Sequence, residues 1–176
     1  TAQRSYGEPA ASLRPIAITG TKAQSTTAEL IRSGLEAAGR RTGIIGTCGI
    51  GYDGCLRPSA NTTPDALELA RTLADMRDAG VETVVMEVSS QAYKLDRVYG
   101  LHFAEGVFTN LSPDHIGPTE HANMEEYISS KARLFAASAL SVLNADEAQC
   151  GRLAHSARGD VSGYGSASPC ALLAED

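Results

Sequence analysis

Four places in the sequence carry residues able to do chemistry. The stretch Val84-Val85-Met86-Glu87-Val88-Ser89-Ser90 is an apolar run closed by a carboxylate and two hydroxyls, as when a buried strand hands polar groups to a surface. Gly20-Thr21-Lys22-Ala23-Gln24-Ser25-Thr26 is a loop of small and polar residues between the apolar run Ile16-Ala17-Ile18 and a helical pattern. Strand, small loop and helix together form the geometry in which unpaired helix N–H groups hold a phosphate. A plain strand-to-helix turn has the same composition. The side-chain part of a P-loop is thin here: its glycine, glycine, lysine and hydroxyl positions are Ile18, Ala23, Gln24 and Ser25, so only the hydroxyl is kept. His115 follows the proline turn Ser112-Pro113-Asp114; it reads either as a solvated or hydrogen-bonded side chain or, with neighbours, as part of the same rim. Lys131 stands four residues after Tyr127 and just before Leu134 and Phe135, inside an apolar stripe rather than opposite it. Such a lysine snorkels, pairs with an acid or is chemically altered. Burial lowers its pKa and favours a neutral, nucleophilic amine, which can capture carbon dioxide and become a carboxylate.

These residues need elements to position them. A helix over Thr26 to Ala38 carries Ile31, Leu35 and Ala38 on one face, with Gly39 as its terminating glycine. Thr42 to Gly54 is glycine-rich around Ile44-Ile45 and reads as a short strand opening into a mobile loop. In Asn61-Thr62-Thr63-Pro64-Asp65, Thr63 is the expected N-cap and Pro64 the first helical residue. Ala66, Leu69, Ala70, Leu73 and Met76 then give an amphipathic helix ending at Gly80. Thr83 to Val88 is apolar on both faces, as a central parallel strand is. Gly106 to Leu111 is a further strand, Asn123 to about Ala139 a helix, Ser141 to Asn144 a strand and Asp160 to Gly165 another, with no evident element after it. The alternation implies an α/β fold, a doubly wound, mostly parallel sheet of P-loop-type topology, with ligands outside the carboxyl ends of the strands. That rim is where Glu87, His115 and the first loop fall.

Composition narrows the function. Fifteen Lys and Arg against 21 Asp and Glu give a net charge of −6, with no basic run and few aromatics, which argues against nucleic acid and membrane-surface partners. Apolar stretches fall far short of the ~20 residues of a membrane span, no apolar signal core opens the chain, and a cytoplasmic protein is expected. Cys48, Cys55, Cys150 and Cys170 include no Cys-x-x-Cys pair and are expected as reduced thiols.

Several motifs occur in the order found in one family. Gly20-Thr21, Asn61-Thr62-Thr63-Pro64, Met86-Glu87-Val88-Ser89-Ser90, Arg97-Val98, Phe108-Thr109-Asn110-Leu111-Ser112, Asp114-His115, Met124-Glu125-Glu126-Tyr127 and Lys131 with Leu134-Phe135 resemble the central ATP-binding domain of the Mur ligases. Within that family the chain is most similar to members that add a diamino acid, the third peptide residue, to a UDP-N-acetylmuramoyl dipeptide. The resemblance runs from about Ile16 to Gly165. It implies ATP and Mg²⁺ as cofactors, and a UDP-N-acetylmuramoyl peptide and an amino acid as partners. Residues Gly20, Thr21, Lys22, Ala23, Gln24, Ser25, Thr26 and Asn110 take nucleotide-binding positions. Ser25, Glu87, His115 and a carbamylated Lys131 take metal positions, with Lys131, Glu87 and His115 as the catalytic set. Thr62, Thr63, Ser89 and Arg97 take positions that hold the muramoyl peptide, the arginine as a bidentate clamp.

Departures from the family pattern matter equally. The lysine that contacts the β and γ phosphates is Gln24, and Ala23 adds a methyl where backbone must approach phosphate. Leu95 stands where relatives have glutamine, and Gln91 where they have histidine. Weakened ATP binding and weak or absent catalysis are the expectation. Residues 1–14 are expected as a tail or linker and 15–176 as a central domain incomplete at its C-terminal end, without the flanking UDP-binding and amino-acid-binding domains. The expected function is an ATP-dependent amide ligase by descent; the alternatives are a degenerate binding or assembly domain and a poly-glutamate-type amide ligase.

Overall fold

Apolar strands of five or six residues have too little surface to be stable alone and must share a sheet with helices packed on its faces. The computed structural model describes residues 2–114, 116–117, 121–166 and 172–173. Nine strands form one sheet: β1 (Arg14–Thr19), β2 (Thr42–Gly46), β3 (Gly49–Tyr52), β4 (Cys55–Arg57), β5 (Thr83–Glu87), β6 (Phe103–Phe108), β7 (Ser138–Asn144), β8 (Asp160–Gly165) and β9 (Leu172–Leu173). Their order is β4-β3-β2-β5-β1-β6-β7-β8-β9. Every pairing from β2 through β9 is parallel, and β2-β3 and β3-β4 are antiparallel. The helices are α1 (Ala2–Ser5), α2 (Gln24–Ala37), α3 (Ala66–Asp78), α4 (Ser90–Lys94), α5 (Met124–Ala136) and α6 (Cys150–Ser156). No helix among the described residues is long and apolar enough to cross a membrane.

The period-two alternation of the central strands divides the core. Ile16, Ile18 and Val85 face Ala28, Ile31 and Leu35 of α2, whereas Ala17, Val84 and Met86 face the cluster that holds Leu73, Met76, Ile128, Leu134 and Phe135. Each fully buried Leu, Ile, Val or Phe contributes about 1.5–3 kcal/mol. Phe108 and Phe135 add an edge-to-face contact at 6.4 Å between ring centres, fixing α5 against β6.

Several expectations need correction. Thr42 to Gly54 is not a loop: it makes β2, β3 and the turn into β4, because Ile45 and Ile50 bury fully as a cross-strand pair. The cap of α3 is Asp65, whose carboxylate accepts from the Leu67 and Glu68 N–H groups at 3.0 Å; Thr63 is turned elsewhere. A residue before proline is steered away from helical backbone, which moves the start two residues downstream. The N-terminal stretch is packed, not loose. A 3-10 turn at Pro9–Ser12 buries Pro9, Leu13 joins the main core, and Arg77 Nη1 donates to the Tyr6 carbonyl at 3.3 Å. β6 ends at Phe108 and not Leu111, since Thr109 and Asn110 leave the ladder to bind the first loop. The chain also supplies β9, parallel to β8.

Candidate active site at the carboxyl edge of the sheet

β5 and β6 flank β1, and the chain visits the β5 side first and the β6 side afterwards. Ligands of doubly wound sheets sit outside the carboxyl ends of the strands at such a reversal. Thr19, Glu87 and Phe108 end those three strands. A cavity of about 610 Å³ opens there, walled by the loop Gly20 to Thr26 on one side and by Thr62, Ser89 and Arg97 on the other, with Glu87 and Lys131 at its base.

The first loop is shaped by β6. The Thr21 N–H donates to the Asn110 carbonyl at 3.0 Å, Asn110 Oδ1 accepts from the Lys22 N–H at 2.9 Å, and Asn110 Nδ2 and Thr109 Oγ1 donate to the Lys22 carbonyl at 3.0 and 3.1 Å. Asn110 is therefore occupied with the loop's backbone and is not among the cavity-lining residues. Ala23, just before α2, is left-handed at φ 63° and ψ 12°, a conformation that favours glycine. Gln24 Nε2 donates to the Gly20 carbonyl. The Lys22 ammonium lies on the outside of the loop, 3.9 Å from the Asp114 carboxylate. Ser25 and Thr26 line the cavity.

Glu87 is 3 % exposed, and its carboxylate accepts from the Thr47 N–H at 2.9 Å and the Thr47 hydroxyl at 3.1 Å. Among the described residues no lysine, arginine or histidine forms an ion pair with it. A buried, ionised carboxylate without a cationic partner is expensive, and a divalent cation removes the cost. Glu87 with the hydroxyls of Ser25 and Thr47 is an all-oxygen set, which suits magnesium, an ion bound through one or two carboxylates and completed by water and phosphate. No group of three or more His, Cys, Asp and Glu side chains gathers among the described residues, so the donors do not form a self-sufficient metal cage. His115 lies outside the described residues.

Gly46 makes this carboxylate position possible, because a Cβ there would fall on Glu87 Oε1. Gly46→Ala is expected to displace the carboxylate, lower stability by about 1–3 kcal/mol and weaken magnesium-dependent nucleotide binding. Gly34→Ala, in mid-α2 where a Cβ meets nothing within 4 Å, is expected to raise stability by about 0.5–1 kcal/mol. Chemical denaturation of both variants, with a magnesium titration, checks the pair. Equal behaviour would remove the steric account of Gly46.

Lys131 is 1 % exposed. Its Nζ donates to the Gly20 carbonyl at 2.6 Å and to Thr19 Oγ1 at 3.3 Å, and it lies 4.6 Å from the centre of the Tyr127 ring. Burial lowers its pKa from 10.5 to about 7, leaving about half of the amine neutral at neutral pH. Tyr127 spans from this lysine to the loop, its hydroxyl 3.1 Å from Thr21 Oγ1.

Thr63 is fully buried behind the cavity wall. Its hydroxyl donates to the Glu87 carbonyl at 2.9 Å and accepts from the Ser89 N–H at 3.1 Å, and its own carbonyl accepts from Arg97 Nη1 at 2.9 Å. It holds Glu87, Ser89 and Arg97 in place, while Thr62, Ser89 and Arg97 themselves line the cavity. The sequence reading missed Thr47, whose signal was its place between two glycines next to Ile44-Ile45, and Tyr127, seen only as a core residue. It also missed Ser90 and His121, whose side chains are 2.8 Å apart across 31 residues of chain and left no local signal.

Comparison with known proteins agrees with this geometry. Residues 18–174 match the Mur ligase middle domain. The UDP-N-acetylmuramoyl-L-alanyl-D-glutamate–2,6-diaminopimelate ligase of Ectopseudomonas mendocina is 40 % identical over 177 residues, covering 98 % of this chain and 36 % of that protein. The enzyme of the same name from Clostridium perfringens is 46 % identical over 143 residues, 81 % of this chain and 29 % of that protein. The chain thus spans about a third of the length of these relatives. A solved structure of a ligase of that name superposes with a TM-score of 0.82 at 31 % identity, over 90 % of this chain and 33 % of the other. A Mycobacterium tuberculosis folylpolyglutamate synthase solved with ADP and AMPPCP shares the fold, at a TM-score of 0.72 and 18 % identity over 93 % of this chain and 45 % of the other. With its loop, strand ends and buried lysine in this arrangement, the chain belongs to the Mur ligase middle domain family.

Proposed function

We propose that this chain is the nucleotide-handling part of an ATP-dependent amide ligase of peptidoglycan precursor synthesis. The observation that supports it most directly is the meeting of the Gly20 to Thr26 loop, the unpaired Glu87 carboxylate and the buried Lys131 at one cavity. In the reaction, a carboxylate oxygen of a UDP-muramoyl peptide attacks the γ-phosphorus of ATP. The new O–P bond forms as the bond from that phosphorus to the bridging oxygen breaks, and ADP leaves. The amine of the incoming amino acid then attacks the acyl carbon, the C–N bond forms, the C–O bond to phosphate breaks, and the amine gives up a proton.

The chain's residues serve the steps as follows. The N–H groups at the start of α2 cradle the phosphates. Ser25 and Glu87, with His115, hold magnesium, which offsets the charge on the transferred phosphoryl group when bound. Ser89, Thr62 and Arg97 hold the muramoyl peptide, the guanidinium against a carboxylate or phosphate, and Thr63 fixes all three. The neutral Lys131 amine adds to carbon dioxide, forming an N–C bond and releasing a proton. The resulting carbamate can no longer donate to the Gly20 carbonyl; it turns into the cavity as an oxygen ligand.

Calorimetric titration with UDP-N-acetylmuramoyl-L-alanyl-D-glutamate and with ATP and magnesium tests this reading. Saturable binding of both is expected. Binding of ATP without the muramoyl dipeptide would move the assignment to a poly-glutamate-type ligase. A second reading, a binding domain that has lost ATP turnover, is favoured by one observation: where a lysine would meet the phosphates, the Gln24 amide is turned back onto the Gly20 carbonyl.

A further inference from the structure

The loop between β6 and α5 places a second polar constellation on the cavity wall. His121 is 0 % exposed; its Nε2 lies 2.8 Å from Ser90 Oγ, and its Nδ1, with no hydrogen-bond partner, faces Glu126 Oε1 at 3.6 Å. Glu126 is anchored by the Ala122 N–H at 2.7 Å and by Lys94 Nζ at 2.9 Å, the first more than the second holding its pKa below the usual carboxylate range. Burial lowers the His121 pKa, so the ring is neutral and carries one proton. A ring lone pair aimed at an ionised carboxylate is repelled, whereas an N–H aimed at it is attracted. The proton therefore belongs on Nδ1. Nε2 is then an acceptor and takes the Ser90 hydroxyl proton, which leaves only lone pairs on Ser90 Oγ for anything else.

Ser90 lines the cavity beside Ser89, Gln91 and Arg97, on the wall opposite the phosphate loop. We propose that Glu126 and His121 are positioning residues that fix Ser90 Oγ as a hydrogen-bond acceptor, and that it recognises a peptide N–H of the bound substrate. The peptide assignment rests on the proposed function, because Ser89 and Arg97 on the same wall are the residues given to the muramoyl peptide. The hydroxyl selects a donor: an ester oxygen at that place would meet lone pair against lone pair.

The test measures binding of the muramoyl dipeptide and of its ester analogue, in which oxygen replaces the amide N–H. Wild type is expected to bind the ester about tenfold more weakly than the amide, the effect of one hydrogen bond. Ser90→Ala loses that preference, and His121→Leu loses it too. Adding His121→Leu to Ser90→Ala changes nothing further. If His121 only pins α4 to α5, its replacement lowers the melting temperature but leaves the preference intact, which overturns the proposal. Equal binding of both ligands by wild type also overturns it, while the proposed function survives. Failure of wild type to bind the amide ligand overturns the proposed function and the peptide assignment with it. Imidazole nitrogen-15 shifts of His121 read the tautomer without any ligand: a pyridine-type Nδ1 would overturn the relay itself. Should His121→Leu not fold, Ser90→Ala with the two ligands still decides the question.

Discussion

Lys131→Met is expected to abolish a bicarbonate-dependent gain of one carbon dioxide in the intact mass, and to lower MgATP-dependent turnover by at least about 100-fold. Methionine keeps the volume and removes the amine, so packing against Tyr127 and Thr19 is preserved while the chemistry is lost. The same substitution is expected to flatten the dependence of stability on pH. With a pKa of about 7 when folded and 10.5 in the unfolded chain, the lysine binds more protons unfolded than folded across that interval. Its contribution to stability is present above 10.5 and is lost as the pH falls through 7. Urea denaturation at several pH values across this window checks it: wild type gains on Lys131→Met as the pH rises. An adduct that survives in Lys131→Met would place the carbamate elsewhere. An unchanged pH slope would mean that the ammonium pays no burial cost, its bonds to Gly20 and Thr19 having compensated fully.

The burial of Lys131 was legible because it needs only local information, four residues at helical spacing. Glu87 was legible for the same reason, an apolar run of strand length with a carboxylate at its end. What escaped depends on contacts between distant segments. Thr47 matters because β2 lies beside β5, and glycines read as loop-forming turned out to permit that approach, Gly46 making room for the Glu87 side chain. Asn110 sits at a predicted nucleotide-binding position, yet its side chain is spent on the backbone of Lys22, a role that only the β1-β6 pairing creates. Thr63 and Asp65 were confused because both are good caps, and the proline between them decides which residue takes the position. The N-terminal stretch has the composition of a linker; Pro9 and Leu13 are held by the core that α3 presents, which no local pattern announces.

Gln24→Lys combined with Ala23→Gly is expected to raise MgATP affinity by about 10- to 100-fold, the range of a charge-assisted hydrogen bond to phosphate. Two separate causes add. A lysine at the head of α2 supplies a cation where the amide now bonds to the Gly20 carbonyl, and glycine at position 23 adopts the left-handed backbone without the ~1–2 kcal/mol that a Cβ costs there. Calorimetry with ATP and magnesium on wild type and the double variant reads the difference. No heat for wild type and clear binding for the variant would sink the active-ligase reading and support a domain that has lost its ATP grip. Equal affinities would show that backbone N–H groups suffice and that Gln24 is no lesion. The effect is also expected to depend on Lys131. Both side chains donate to the same Gly20 carbonyl, so freeing it from Gln24 strengthens the hold of the Lys131 ammonium. The two sites are in contact and their energies do not add. In bicarbonate, where the carbamate has left that carbonyl, the coupling between them should vanish.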